Sequence, residues 1–119
     1  AALDALVYTH LPDLERAYVL DNLGMIRFNH SDFDDAEELF RAAVALNTAY
    51  PVAYFNYGLA LAHREAYDLA AVAFADAARR DAKFLAYVAR HPALTKFRAS
   101  DAYTNLLSST SHLTPDTHD

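Results

Sequence analysis

The chain holds only two glycines, Gly24 in DNLG and Gly58 in FNYG, each with an asparagine two residues before it. Both lie in runs of apolar residues that otherwise read as uninterrupted helix, where a glycine costs roughly 0.5–1 kcal/mol against alanine. A cost accepted twice in the same setting points to an internal repeat whose period is the Gly24-to-Gly58 offset, and a fixed period constrains a fold more than any local propensity does.

Displacing the chain on itself by that offset sets Leu20, Leu23 and Gly24 on Tyr54, Tyr57 and Gly58. It also sets Phe33 on Tyr67, Ala36 on Ala70, Phe40 on Phe74 and Ala43 on Ala77, so large meets large and small meets small. Within each unit the apolar residues follow helical spacing twice, with polar breaks at NHSD (29–32) and HREA (63–66). Each unit is expected to be a helical hairpin, its glycine letting the first helix lie close to the second near Ala36 and Ala70. The composition agrees: 54 % hydrophobic residues, two glycines and four prolines favour an all-α chain. At 119 residues, one hydrophobic unit is expected.

Charge narrows the function classes. The net charge of -6 argues against non-specific nucleic-acid binding. Residues 1–59 carry nine acids against three bases, whereas residues 60–119 carry seven of each, so the acidity belongs to the first half. No cysteine is present, which excludes disulfides and thiolate metal sites and leaves the compartment open. No apolar run approaches a membrane span and no basic signal region opens the chain, so a soluble chain with no membrane partner is expected. The five carboxylates of DFDDAEE (32–38) suit the first turn of a helix, with Asp32 as its cap, better than a calcium loop, which would want a glycine at its turn. The six histidines show no i, i+4 pair, no glycine-rich loop is available to cradle phosphate, and no nucleophile is paired with a base. No cofactor, no metal and no catalytic activity are expected.

The double pattern resembles the tetratricopeptide repeat, whose signature of about 34 residues runs large aromatic, two residues, Leu-Gly, two residues, Tyr, then Ala, three residues, Phe. Tyr54, Tyr57, Gly58, Leu61, Tyr67, Ala70, Phe74 and Ala77 carry it in the second unit; Leu20, Leu23, Gly24, Phe33, Ala36, Phe40 and Ala43 carry it in the first, with Arg27 where the family has Tyr. The resemblance covers roughly residues 12–82 and implies an all-α, right-handed superhelical solenoid of antiparallel helix pairs. A third copy would need glycine at Pro92 and alanine at Thr104, so the repeat has ended. Residues 81–90, a start at Pro92, and residues 101–107 capped by Ser100 look like the C-terminal capping helices of such arrays, with their Arg98, Ser100, Asp101, Leu106, Leu107 motif. The expected layout is the end of a preceding helix or an N-terminal cap over 1–11, repeats over 12–47 and 48–82, capping helices over 83–107 and a flexible tail over 108–119. Ala2 and Leu6 fall one repeat before Ala36 and Phe40, as though the chain begins inside an earlier repeat.

In the family the first helices line a concave groove. The resemblance assigns to that groove Tyr18, Asp21, Asn22, Met25, Phe28 and Asn29 from the first repeat, and Val52, Phe55, Asn56, Leu59, Ala62 and His63 from the second. Gly24, Ala36, Phe40, Gly58, Ala70 and Phe74 are the packing residues. Asn22 and Asn56 could read a peptide backbone, one amide per repeat, in which case Asn56→Ala should leave stability nearly unchanged. A subclass that clamps the acidic tails of chaperones uses Lys, Asn, Asn, Lys and Arg. Only Asn56 and Arg90 match that set, while Asp21, Met25 and Ala86 do not, and Asp21 would repel a carboxylate. The function expected is a non-catalytic interaction module, an adaptor or scaffold binding a protein or peptide of basic or amphipathic character. A structural or self-associating element of a longer array is the alternative, with a regulatory domain of a larger protein as the third.

Overall fold

The computed structural model describes residue 8 and residues 10–113, and the expectation for Ala2 and Leu6 lies outside them. Four long helices come first: α1 Asp13–Asn29, α2 Phe33–Ala45, α3 Pro51–His63 and α4 Tyr67–Arg80. Shorter pieces follow: α5 Phe84–Arg90, a 3-10 turn Pro92–Leu94, α6 Thr95–Arg98, α7 Asp101–Ser109 and a 3-10 turn Ser111–Leu113. α1 pairs with α2 and α3 with α4, α2 stacks on α3, and α7 packs along α4. The result is an all-α solenoid of two stacked hairpins closed at one end by the short C-terminal helices.

The polar breaks end the first helix of each hairpin by the same device. Ser31 and Glu65, at equivalent positions of the two repeats, both take a left-handed backbone, with φ of 65° and 66°. At the first break Asp32 N donates to Arg27 O and Ser31 N to Phe28 O, at 2.9 and 3.0 Å. At the second, Ala66 N donates to Leu61 O and Glu65 N to Ala62 O, both at 2.9 Å. This pattern satisfies the orphaned carbonyls of a helix end, usually with glycine at the left-handed position. Neither expected side-chain cap forms. Asp32 and Ser100 occupy N-cap positions without a capping hydrogen bond, and Ser100 Oγ donates backwards to Phe97 O at 2.6 Å.

Each glycine receives a phenyl ring. A Cβ on Gly24 would lie 2.5 Å from Phe40 Cε1, and one on Gly58 would meet Phe74 Cε1 as closely. The close approach expected near Ala36 and Ala70 is there: those alanines are fully buried, and the group that fills the notch is the aromatic ring one helical turn further on. Phe74 continues outward to Phe55 and Phe97, with ring centroids at 5.5 and 5.2 Å, so the second hairpin and the capping helices share one core. Arg27 is exposed, and Phe28 packs against Ala36, Phe40 and Ala60 instead. Signature residue Leu23 is also exposed, whereas its counterpart Tyr57 is half-buried.

α5 starts at Phe84, later than the expected Asp81, because Asp81 takes an extended backbone that ends α4. Arg98 Nη1 then donates to Val88 O and His91 O at 2.9 and 2.8 Å, so the basic residue of the capping motif satisfies carbonyls at the end of α5. Leu106 and Phe97 are buried, while Leu107 stays exposed.

Two stability outcomes follow from this geometry. Gly58→Ala gains helix propensity but drives a methyl into Phe74, and overpacking of a filled core costs about 1–3 kcal/mol; urea unfolding should show a lower midpoint, and a higher one would refute the notch. Glu65→Gly relieves a left-handed non-glycine residue, and the unfolding free energy should rise by about 0.5–1 kcal/mol.

Candidate functional site

α1 and α3 lie side by side and meet at two rungs. Asn56 Nδ2 donates to Asp21 Oδ1 at 2.9 Å. Two helical turns further along both helices, Phe28 meets His63 edge-on with centroids 5.7 Å apart, and His63 stacks on Phe33 at 3.8 Å. Asp21 lies on the stripe Ala17, Asp21, Gly24, whose i, i+4, i+7 spacing is the face of α1 turned into the protein. It is 2 % exposed, and Asn56 is 7 % exposed. Tyr50, just before α3, donates its hydroxyl to Asp21 Oδ2 at 3.3 Å, and Tyr18 meets the Tyr50 ring edge-on at 4.5 Å while remaining 40 % exposed.

The Asp21 carboxyl has two neutral donors and no ion-pair partner among the described residues. Burial raises its pKa above the ordinary 3.8, against the lowering effect of the Asn56 and Tyr50 hydrogen bonds. Tyr50 is pushed up to about 12, by burial first and then by the Asp21 charge.

The other residues expected in the groove divide by exposure. Asn22, Asn29, His63 and Arg90 face solvent; Met25, Phe28, Val52 and Leu59 are half-buried; Phe55 and Ala62 are buried. Phe55 is covered from the C-terminal side, its ring touching Phe84, Tyr87 and His91 at 5.5, 6.2 and 6.0 Å. Asn22 and Asn56 therefore differ: Asn22 presents its amide to water, while Asn56 spends its N–H on Asp21. The expectation that Asn56→Ala leaves stability nearly unchanged gives way to a structural duty, because truncation removes a donor from a buried carboxylate. Beside His63 a cleft of about 290 Å³ opens between the α3–α4 turn and the capping segment, lined among others by Glu65, Tyr67, Pro92, Lys96 and Phe97. Burial and the positive charge of Arg98 lower the pKa of His91.

Sequence reasoning missed the parts played by Tyr50, Tyr87 and Glu37. Glu37, from the acidic stretch, is nearly buried and accepts from Arg64 at 2.7 and 3.1 Å and from Arg41 at 2.7 Å, tying the first hairpin to the turn of the second. Asp21, which the resemblance placed in the groove, is instead buried on the inward stripe of α1 with Ala17 and Gly24. Among the described residues no cluster of three or more His, Cys, Asp or Glu could hold a metal ion, and no helix is long and apolar enough to cross a membrane.

The sequence profile of the tetratricopeptide repeat matches residues 22–86, which takes in most of both hairpins and the start of α5. The chain belongs to the tetratricopeptide repeat family. No curated protein and no solved structure matched it. Tetratricopeptide repeats are generally protein–protein interaction modules, and the family is typically non-catalytic.

With its pKa raised, the native Asp21 binds its proton more readily than the unfolded chain does. Its favourable contribution is present in full below the unfolded value of about 3.9 and is lost as pH rises through the higher folded value. Asp21→Asn keeps an oxygen for Asn56 and removes the buried charge. Thermal melts at pH 7 should show the variant at or above the wild type, with its advantage fading toward pH 3; a variant less stable at pH 7 would mean that the charge itself holds the fold.

Proposed function

We propose that this tetratricopeptide domain is an adaptor that binds an extended or helical segment of a partner protein across the face formed by α1 and α3. Tyr18, Asn22, Met25, Asn29, Leu59, His63 and Arg90 provide the accessible contacts, over a floor of Asp21, Phe28, Val52, Phe55 and Asn56. The observation that carries the reading is the mixed character of that face. Tyr18, Met25 and Leu59 keep apolar surface there while the exposed Asn22 offers a donor and an acceptor, the combination that orients a peptide backbone and anchors its side chains. The acidity of the first half favours a basic or amphipathic segment.

Self-association is the second reading, favoured by Leu14, Leu23 and Ile26 of α1, which are also exposed. Light scattering over a range of concentrations separates the two, since the adaptor stays monomeric with its face open. Selection of a displayed random-peptide library on the domain should recover binders, and Asn22→Ala should weaken a selected peptide by roughly fivefold or more while the melting temperature holds. Binders indifferent to Asn22→Ala, or none recovered by a monomer, would reject this face as the site.

A further inference from the structure

The buried charge of Asp21 has no explanation in packing. The fold does not demand an acid there, because the equivalent position of the second repeat is Phe55. Hydrogen bonding does not demand one either, since an amide there would accept from Asn56 through its oxygen and donate to the Tyr50 hydroxyl oxygen through its nitrogen. What the carboxylate adds to those bonds is a negative field, strengthened by the low dielectric around it and balanced by no cation within ion-pair distance among the described residues. The contacts that lead from Asp21 to the surface are aromatic. Tyr50 holds Asp21 through its hydroxyl, and Tyr18, set edge-on against Tyr50, is the exposed end of that chain.

We propose that Asp21, Tyr50 and Tyr18 form a cation-selective anchor point, in which an arginine or lysine side chain of the partner lies over the Tyr18 ring and is held by the Asp21 charge beneath. The proposal rests on the reading of the α1–α3 face as a peptide site and adds the chemistry that the face selects. Cations bind aromatic faces, more strongly when partly desolvated, and arginine suits the position best because its planar, weakly hydrated guanidinium stacks on a ring. Direct contact with the carboxylate is not needed. A fixed charge behind a low-dielectric wall attracts a cation several ångströms away, and it does so without the side-chain ordering cost of a surface ion pair.

Random-peptide selection on the wild-type domain, compared with Asp21→Asn and Tyr18→Ala, tests this. The expected result is enrichment of Arg or Lys at one fixed position of the wild-type binders. For a synthetic peptide carrying that residue, affinity should fall roughly five- to tenfold in each variant. Replacing the basic residue by norleucine should cost at least that factor with the wild type and distinctly less with Asp21→Asn, where only the Tyr18 ring remains to hold the cation. Tyr18 is exposed, so Tyr18→Ala keeps the test valid should Asp21→Asn alter the fold, and melting curves report that directly. Binders without a fixed basic residue, or a basic residue whose contribution survives both substitutions, would overturn the cation anchor and leave the peptide site standing. A wild-type domain that selects no peptide would overturn both.

Discussion

Everything in this solenoid hangs on a phenyl ring seated on a helix backbone. Phe40 on Gly24 and Phe74 on Gly58 bring the two helices of each hairpin closer than any side chain at those glycines would allow. The same rings carry the core onward: Phe40 clusters with Ala36 and with Ala60 of the next hairpin, and Phe74 reaches Phe55 and Phe97. A residue that fills a notch on one side and supports the neighbouring helix on the other links hairpin closure to hairpin stacking. Stacked repeats that bury their faces only against neighbours need such links, since a single hairpin has too little core to stand alone.

The phase of the repeat was the legible part of this fold. Glycine, small residue, ring and polar break are locked to one period, so the ends of α1 and α3 and the starts of α2 and α4 fall where the breaks NHSD and HREA place them. The closing device was hidden because Ser31 and Glu65 take a conformation usually given to glycine or asparagine, and neither residue type announces it. The burial of Phe55 was hidden for a different reason. It depends on where α5 begins, and the extended Asp81 moves that start to Phe84, bringing Tyr87 and His91 over the ring. A helical period reports which face of a helix turns inward and carries no information about what a non-repeating cap lays over it.

Outside the locked positions the two hairpins have diverged. Asp35 and Glu38 of α2 correspond to the exposed Leu69 and Val72 of α4, Arg27 to the buried Leu61, and Asp21 to Phe55. The acidity of the first half is therefore a property of positions that packing leaves free, along with two that it does not, Asp21 and Glu37. Glu37 is paired with Arg41 and Arg64, whereas Asp21 has no ion-pair partner among the described residues, and the second repeat shows that an apolar group serves its position. Among the residues assigned to the α1–α3 face, that contrast between what the fold tolerates and what the chain contains separates Asp21 from Asn22, Met25 or Leu59, whose exposure alone has ordinary explanations.

The polar contacts between the hairpins also decide how that face is shaped. Apolar surfaces of alanine and phenylalanine tolerate small sliding, because dispersion and area burial are insensitive to direction. The Asn56–Asp21 bond and the paired bonds from Arg64 to Glu37 are directional, and a shift of one hairpin along the other would break both. They sit on different seams, one between the first helices of the hairpins and the other between α2 and the turn after α3, so together they fix both translation and tilt. Neither needs to add much net stability to do this, since a buried polar group left unpaired costs more than the pair gains. The spacing between Tyr18 and Leu59 is thus set by hydrogen bonds beneath them, and on the proposed reading a partner would meet a surface whose geometry is already fixed before it arrives.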